Sequence, residues 1–137
     1  MYDKTISDLK NLGLIEQDDI AVACMDNITK SIALFGAIGG AIAQSKASRY
    51  IVVANKDSLR IFDVEKKTGN YLGTCSTFRA DEIAEAFVKG SLGTFNVVLK
   101  TTSGNYKYQT SNKFDKFLQK EEIGKLKAFF ESSFGKK

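Results

Sequence analysis

Residues 106–134 read YKYQTSNKFDKFLQKEEIGKLKAFFESSF, and the hydrophobic period changes inside this stretch. Tyr106-Lys107-Tyr108-Gln109-Thr110 alternates like a strand. Ile123, Leu126, Phe130 and Phe134 are then spaced three, four and four apart, with Phe129 beside them. That is one face of a helix. The spacing predicts a helix over about residues 118–134, with Glu121 and Lys125 as an i,i+4 pair and Gly135 as its C-terminal cap. Burying its three Phe side chains would contribute roughly 1.5–3 kcal/mol each, so the helix belongs to the core.

Upstream of Thr110 the chain reads as short strands separated by turns. Ile20–Met25 is the first, stopped by Asp26 and Asn27. Tyr50–Ala54 is rich in β-branched residues and ends at the turn Asn55-Lys56-Asp57. Leu59–Val64 and Tyr71–Ser76 flank the hairpin loop Lys66–Asn70. Phe78–Ile83 breaks the pattern. Ala84, Ala86 and Val88 then alternate with Glu85, Phe87 and Lys89, with the first set facing inward. Phe95, Val97 and Leu99 form the inward face of the sixth strand, and Tyr106–Thr110 is the seventh. The chain contains no Pro, so none interrupts a strand. Before the strands, Thr5 or Ser7 caps a short helix with Ile6, Leu9 and Leu12 on one face, and Gly13 ends it. Seven strands plugged by a final helix predict a small antiparallel barrel or sandwich.

The chain has 137 residues, 43% hydrophobic, which fits one domain with one core. Ten Phe and no Trp make Phe the main core filler. The net charge of +4 is unevenly placed. Residues 1–46 carry six acids and four bases, giving −2, and residues 47–137 carry ten acids and sixteen bases, giving +6. Such an excess permits an anionic partner without requiring one. Cys24 and Cys75 lack a second Cys at metal-ligand spacing and read as two buried, reduced thiols. No long apolar run follows Met1-Tyr2-Asp3-Lys4, which predicts a cytoplasmic protein.

Catalytic chemistry finds little support. There is no histidine, which removes the usual general base and the commonest metal ligand. Asp18-Asp19 and Asp81-Glu82 are adjacent carboxylates that read as a turn or helix start, and sequence neighbours would point apart on a strand, so neither pair makes an acid/base dyad. Gly36-Ala37-Ile38-Gly39-Gly40 lacks the Lys-Ser/Thr of a phosphate loop. No cofactor or metal is expected, and no enzyme.

Residues 31–43 form a charge-free Gly/Ala-rich run. It is shorter than the roughly 20 residues a bilayer span needs. Gly36 and Gly40 make a G-x-x-x-G pair that lets backbones approach closely. Phe35, Gly36, Ile38, Gly40 and Ile42 are therefore candidate residues for self-association, with membrane contact as the alternative. Lys56, Arg60, Lys66 and Lys67 are the densest candidate anion patch. Nucleic acid is disfavoured, because Tyr106-Lys107-Tyr108 is the only stretch that interleaves aromatics with a base.

The order of seven strands and a closing helix resembles a pleckstrin-homology (PH) domain. The details are most similar to the bacterial PH-like domains: Ile61-Phe62-Asp63 ends a strand before a lysine-rich hairpin, Phe78–Ile83 is a short break, and Val88–Gly93 forms a hairpin. The resemblance covers residues 19–134, with an N-terminal helical extension at 1–18 and the apolar insert at about 28–48. It implies a partly open barrel closed by a helix, and a non-catalytic binding or assembly role. The expected partner is a protein or a second copy in a homo-oligomer. The alternative is a peripheral membrane surface, bound through residues 31–43 and nearby lysines. Around the first hairpin the headgroup-binding bases of PH domains are matched only by Lys30, Lys46 and Arg49, which argues against a phosphoinositide.

Overall fold

The computed structural model describes residues 2–27, 47–91 and 93–134. Helix α1 (Tyr2–Asn11) leads to β1 (Ile20–Asp26). Strands β2 (Arg49–Ala54), β3 (Ser58–Val64) and β4 (Tyr71–Arg79) follow. A 3-10 turn, Ala80–Glu82, precedes β5 (Ile83–Ser91), β6 (Thr94–Thr101) and β7 (Gly104–Ser111). A small hairpin of β8 (Lys113–Phe114) and β9 (Phe117–Leu118) comes before the last helix, α2 (Lys120–Ser133). The first seven strands form one antiparallel sheet in the order β4-β3-β2-β1-β7-β6-β5. β4 and β5 are its edges, so hydrogen bonds do not close it.

The expected strands and final helix are present, and α2 buries Ile123, Leu126, Phe130 and Phe134 as its spacing predicts. These pack on Val22, Val52, Ile61, Val97 and Leu99 of the concave sheet face. A second core lies on the opposite face of β1–β3. There α1 and the β8–β9 hairpin bring Tyr2, Leu9 and Phe114 onto Ala23, Ile51, Val53 and Phe62. β1 is therefore covered on both sides, which explains its continuous apolar run in place of alternation.

Several expectations are corrected. α1 starts at Tyr2, and Thr5 lies inside it, with a buried hydroxyl that donates to Gly69 O at 2.5 Å. Its buried face is Tyr2, Thr5 and Leu9, while Leu12 is 68% exposed. The tyrosine explains this: its ring packs between Phe114 and Phe117, and its hydroxyl donates to Asp115 Oδ2 at 2.7 Å. Gly13 does end the helix, at φ 73°. Leu14 N donates to Leu9 O and Gly13 N to Lys10 O, the paired bonds of a left-handed helix stop. Ala84 is exposed, because the register slips between Ile83 and Glu85 and leaves it in a bulge. Lys125 pairs with Glu122 at 3.1 Å, not with Glu121. Cys24 is buried, but Cys75 is exposed on an edge strand, and both are free. Strands β2 and β3 separate theirs, so no disulfide can join them. Alkylation of the native protein should therefore label Cys75 alone, and Cys24 only after unfolding. Labelling of Cys24 at native rates would contradict its burial.

The centre of the sheet holds an unusual joint. β1 pairs with β7 only at Met25↔Gln109 and Asp26↔Tyr108. Before Met25, on the Ala23 side, the two strands part, and the Gln119 side chain fills the gap as a substitute peptide. Gln119 Oε1 accepts from Ala23 N at 2.9 Å, and its Nε2 faces Ala23 O at 2.9 Å, Thr110 Oγ1 at 2.7 Å and Ser111 O at 3.1 Å. Gln119 is 2% exposed, so water cannot replace these bonds. Gln119→Leu should cost about 2–4 kcal/mol, since each buried polar group left unsatisfied costs about 1–3 kcal/mol. A loss under about 1 kcal/mol in urea unfolding would show that the joint carries no weight.

Candidate functional site

The two edges of the sheet are built differently. At β5, Ala86 N donates to Phe134 O at 3.0 Å, so the end of α2 occupies part of the edge. Glu85 and Lys89 stand along the same strand. At β4, the nine residues from Tyr71 to Arg79 carry no charge before Arg79. Every side chain from Leu72 to Thr77 is exposed. Among the described residues, no backbone–backbone hydrogen bond outside the β3 ladder reaches β4. Natural edge strands are usually blocked by charge, Pro or a covering element. β4 has one such device, a register slip between Phe62 and Val64 that Gly73 allows at φ 87°. The slip bends only the start of the strand. Cys75–Arg79 pairs regularly with Ser58–Phe62; Arg79 N donates to Glu82 Oε1 at 3.0 Å, and Cys75–Phe78 stays open among the described residues.

A groove of about 420 Å³ lies beside the start of β4, lined by Arg49, Tyr50, Asp63, Lys66, Leu72 and Thr74. Its charges cancel. Thr74 Oγ1 donates to Asp63 at 2.5 Å, and Arg49 is occupied by Asp115 at 2.9 Å. Glu65 also lines the groove, and the Thr68 backbone N–H leads the donors that hold its carboxyl below the usual range. This mixture does not favour an anionic headgroup. Tyr50 donates to Asp26 Oδ1 at 2.8 Å; burial, then that carboxylate, pushes its hydroxyl up to about 12.

Burial also pushes up the hydroxyls of Tyr2 and Tyr108 and the Cys24 thiol. Unfolded tyrosine and cysteine release their protons near 10 and 8.5, whereas the folded chain keeps them. Stability from these groups is complete below about pH 8 and falls as pH rises beyond the unfolded values. Each group that has passed its unfolded pKa costs about 1.4 kcal/mol per further pH unit. The urea midpoint should hold from pH 7 to 8 and drop clearly by pH 11. A flat profile to pH 11 would contradict the burial of these groups.

The candidate anion patch is not assembled. Lys56 lies in the β2–β3 turn, and Lys66 and Lys67 lie in the β3–β4 turn. β3 separates them by about 20 Å at roughly 3.3 Å per residue. Arg60 sits mid-strand and donates to the Leu14 carbonyl. Residues 31–43, with Phe35, Gly36, Ile38, Gly40 and Ile42, fall outside the described residues. Tyr106 and Tyr108 face the core and only Lys107 faces out, so that triplet is an ordinary strand. The outward face of β5, β6 and β7 mixes charges, with Glu85 among Lys89, Lys100 and Lys107. The register places Phe87, on the edge strand, beside Val98, and Lys107 on the far side of Val98. Lys100 is 3.1 Å from Glu85 and 5.9 Å over the Phe87 ring. Alternation marked each outward residue, but only strand register brings them together.

Among the described residues no helix is long and apolar enough to cross a membrane, and no group of three or more acidic or cysteine side chains could hold a metal ion. No family model matches the chain. No curated protein matches it either. Among solved structures it is similar to the hSac2 domain from human phosphoinositide phosphatase Sac2. That likeness spans 97% of this chain and 83% of the other, at 7% identity and a TM-score of 0.49.

Proposed function

We propose that the chain is a non-catalytic, bacterial PH-like interaction module that binds a protein through the open edge of β4. The strand order and the helix packed across the concave face support the PH-like part of this reading. The open β4 edge carries the functional part. An extended partner strand laid there gains backbone hydrogen bonds without displacing any described element. Mixed charge in the adjoining groove and the scattered lysines favour a protein over an anionic membrane surface.

Site-specific photo-crosslinking in the native host tests the module. A photoreactive residue at Thr77 should give adducts of discrete mass, and the same residue at Lys127 on α2 should give none. Absence of adducts at position 77, or equal adducts at both positions, would overturn the assignment. Co-sedimentation with anionic vesicles should leave the protein in the supernatant. Quantitative pelleting would favour the membrane alternative.

A further inference from the structure

The β4 edge carries information about what pairs with it. The strand is preceded by a basic turn, Lys66-Lys67, and followed by an acidic one, Asp81-Glu82. Glu65 in the first turn accepts from Lys67 N and Thr68 N at 2.8 and 2.6 Å. In the second, Arg79 is 3.2 Å from Asp81 and 3.6 Å from Glu82, so one guanidinium faces two carboxylates. The strand thus runs from a net positive end to a net negative end.

We propose that the edge binds a second copy of this chain, β4 against β4, antiparallel about a two-fold axis. The inference rests on the interaction-module reading above. An antiparallel pair lays the basic turn of each copy beside the acidic turn of the other, and does so twice. A parallel pair would set like charges together. In any two-fold antiparallel pair one residue faces itself. An axis at Cys75 or Ser76 sets Asp81 level with Lys67 or Gly69 of the second copy once the two extra residues of the β4 bulge are counted, within a lysine's reach of the Lys66-Lys67 turn.

Side-chain size agrees. Thr74, Cys75, Ser76 and Thr77 are small and exposed, and Thr or Ser opposite Thr or Ser is a favourable cross-strand pair. No charge along the shared stretch would be left facing its own copy. Gly73 puts no side chain in the bulge, and a Cβ there would meet no other atom of the chain. The contact is small. One strand pair covers less than the ~1,000 Å² of a stable interface. Association is therefore weak and depends on concentration, and the exposed charges set its direction more than its strength.

Sedimentation velocity of the full chain in reductant, from about 10 µM to 1 mM, tests the pairing over the affinity range of weak complexes. A monomer–dimer equilibrium is expected. Ser76→Lys puts like charges at the axis and should weaken it at least tenfold, with an unchanged circular-dichroism spectrum as the folding control. Lys66→Glu with Lys67→Glu should weaken it as well. Adding Asp81→Lys and Glu82→Lys to that variant should restore it, which a merely destabilised fold would not do.

Oxidative crosslinking locates the axis. Cys75 in the wild type is compared with Ser76→Cys and Thr77→Cys, each in a Cys75→Ser background. Cys75 or the Ser76→Cys variant should form a disulfide dimer at least tenfold faster than the other two, because facing residues in a strand pair lie within disulfide reach, and fastest crosslinking through Thr77→Cys would contradict the charge pairing. A monomer at 1 mM without crosslinks would overturn the second copy. So would a dimer that ignores Ser76→Lys. Neither result touches the adducts at Thr77 in the native host, which decide the module reading separately.

Discussion

Phe130→Ala should lower the free energy of unfolding by about 3–5 kcal/mol, the range for truncating a buried Phe. Phe130 is fully buried, with its ring 6.3 Å from Phe129 and 6.2 Å from Phe134. The cluster packs against β1 and β5, the two strands that α2 bridges across the concave face. An alanine there leaves a cavity between strands that are not otherwise neighbours in the sheet. The surroundings cannot collapse into it without moving β5 or α2, so the cost should fall high in the range. Urea unfolding measures it. A loss below about 1 kcal/mol would mean that α2 does not plug the concave face.

Asp115→Ala should cost about 4 kcal/mol, through a different mechanism. Asp115 Oδ2 accepts from Tyr2 Oη at 2.7 Å and from Arg49 Nε at 2.9 Å. The Arg49 side chain is only 7% exposed. Removing the carboxylate from a buried pair typically costs about 3–5 kcal/mol, because the remaining charge is left uncompensated. Arg49 keeps the Ala47 carbonyl at 2.8 Å and the Phe114 ring at 5.5 Å, which limits the loss. Asp115 also sits at φ 46°, where alanine adds roughly 1–2 kcal/mol of strain and Asn adds little. Asp115→Asn should therefore cost clearly less than Asp115→Ala. A double change with Arg49→Met should be less damaging than the sum of its parts. Strict additivity would show that the pair does not couple the β8–β9 hairpin to the sheet.

Much of the fold is legible in local periodicity. The alternation of Phe95, Val97 and Leu99 and the three-four-four spacing of Ile123, Leu126, Phe130 and Phe134 each report a single buried face, and both lie in the core as expected. The second core is much less legible. Tyr2 opens the chain amid polar residues, and nothing local distinguishes it from an exposed tyrosine. The β8–β9 hairpin turns on Asp115 and Lys116 at φ 46° and 69°, without the Asn-Gly or Asp-Gly signature of such turns. Gln119 lies between a hairpin and a helix, where a glutamine reads as surface.

The candidate site divides in the same way. Residue order alone marks Tyr71–Ser76 as an uncharged strand between a lysine turn and the acidic pair Asp81-Glu82, because residue identity and order are local properties. Strand pairing decided that β4 is an edge, that β5 is capped by Phe134, and that Lys56 stands a strand's length from Lys66. Whether a strand's outer hydrogen bonds are met depends on which segments come to lie beside it. That outcome follows from long-range packing on both sheet faces, which no window of sequence contains.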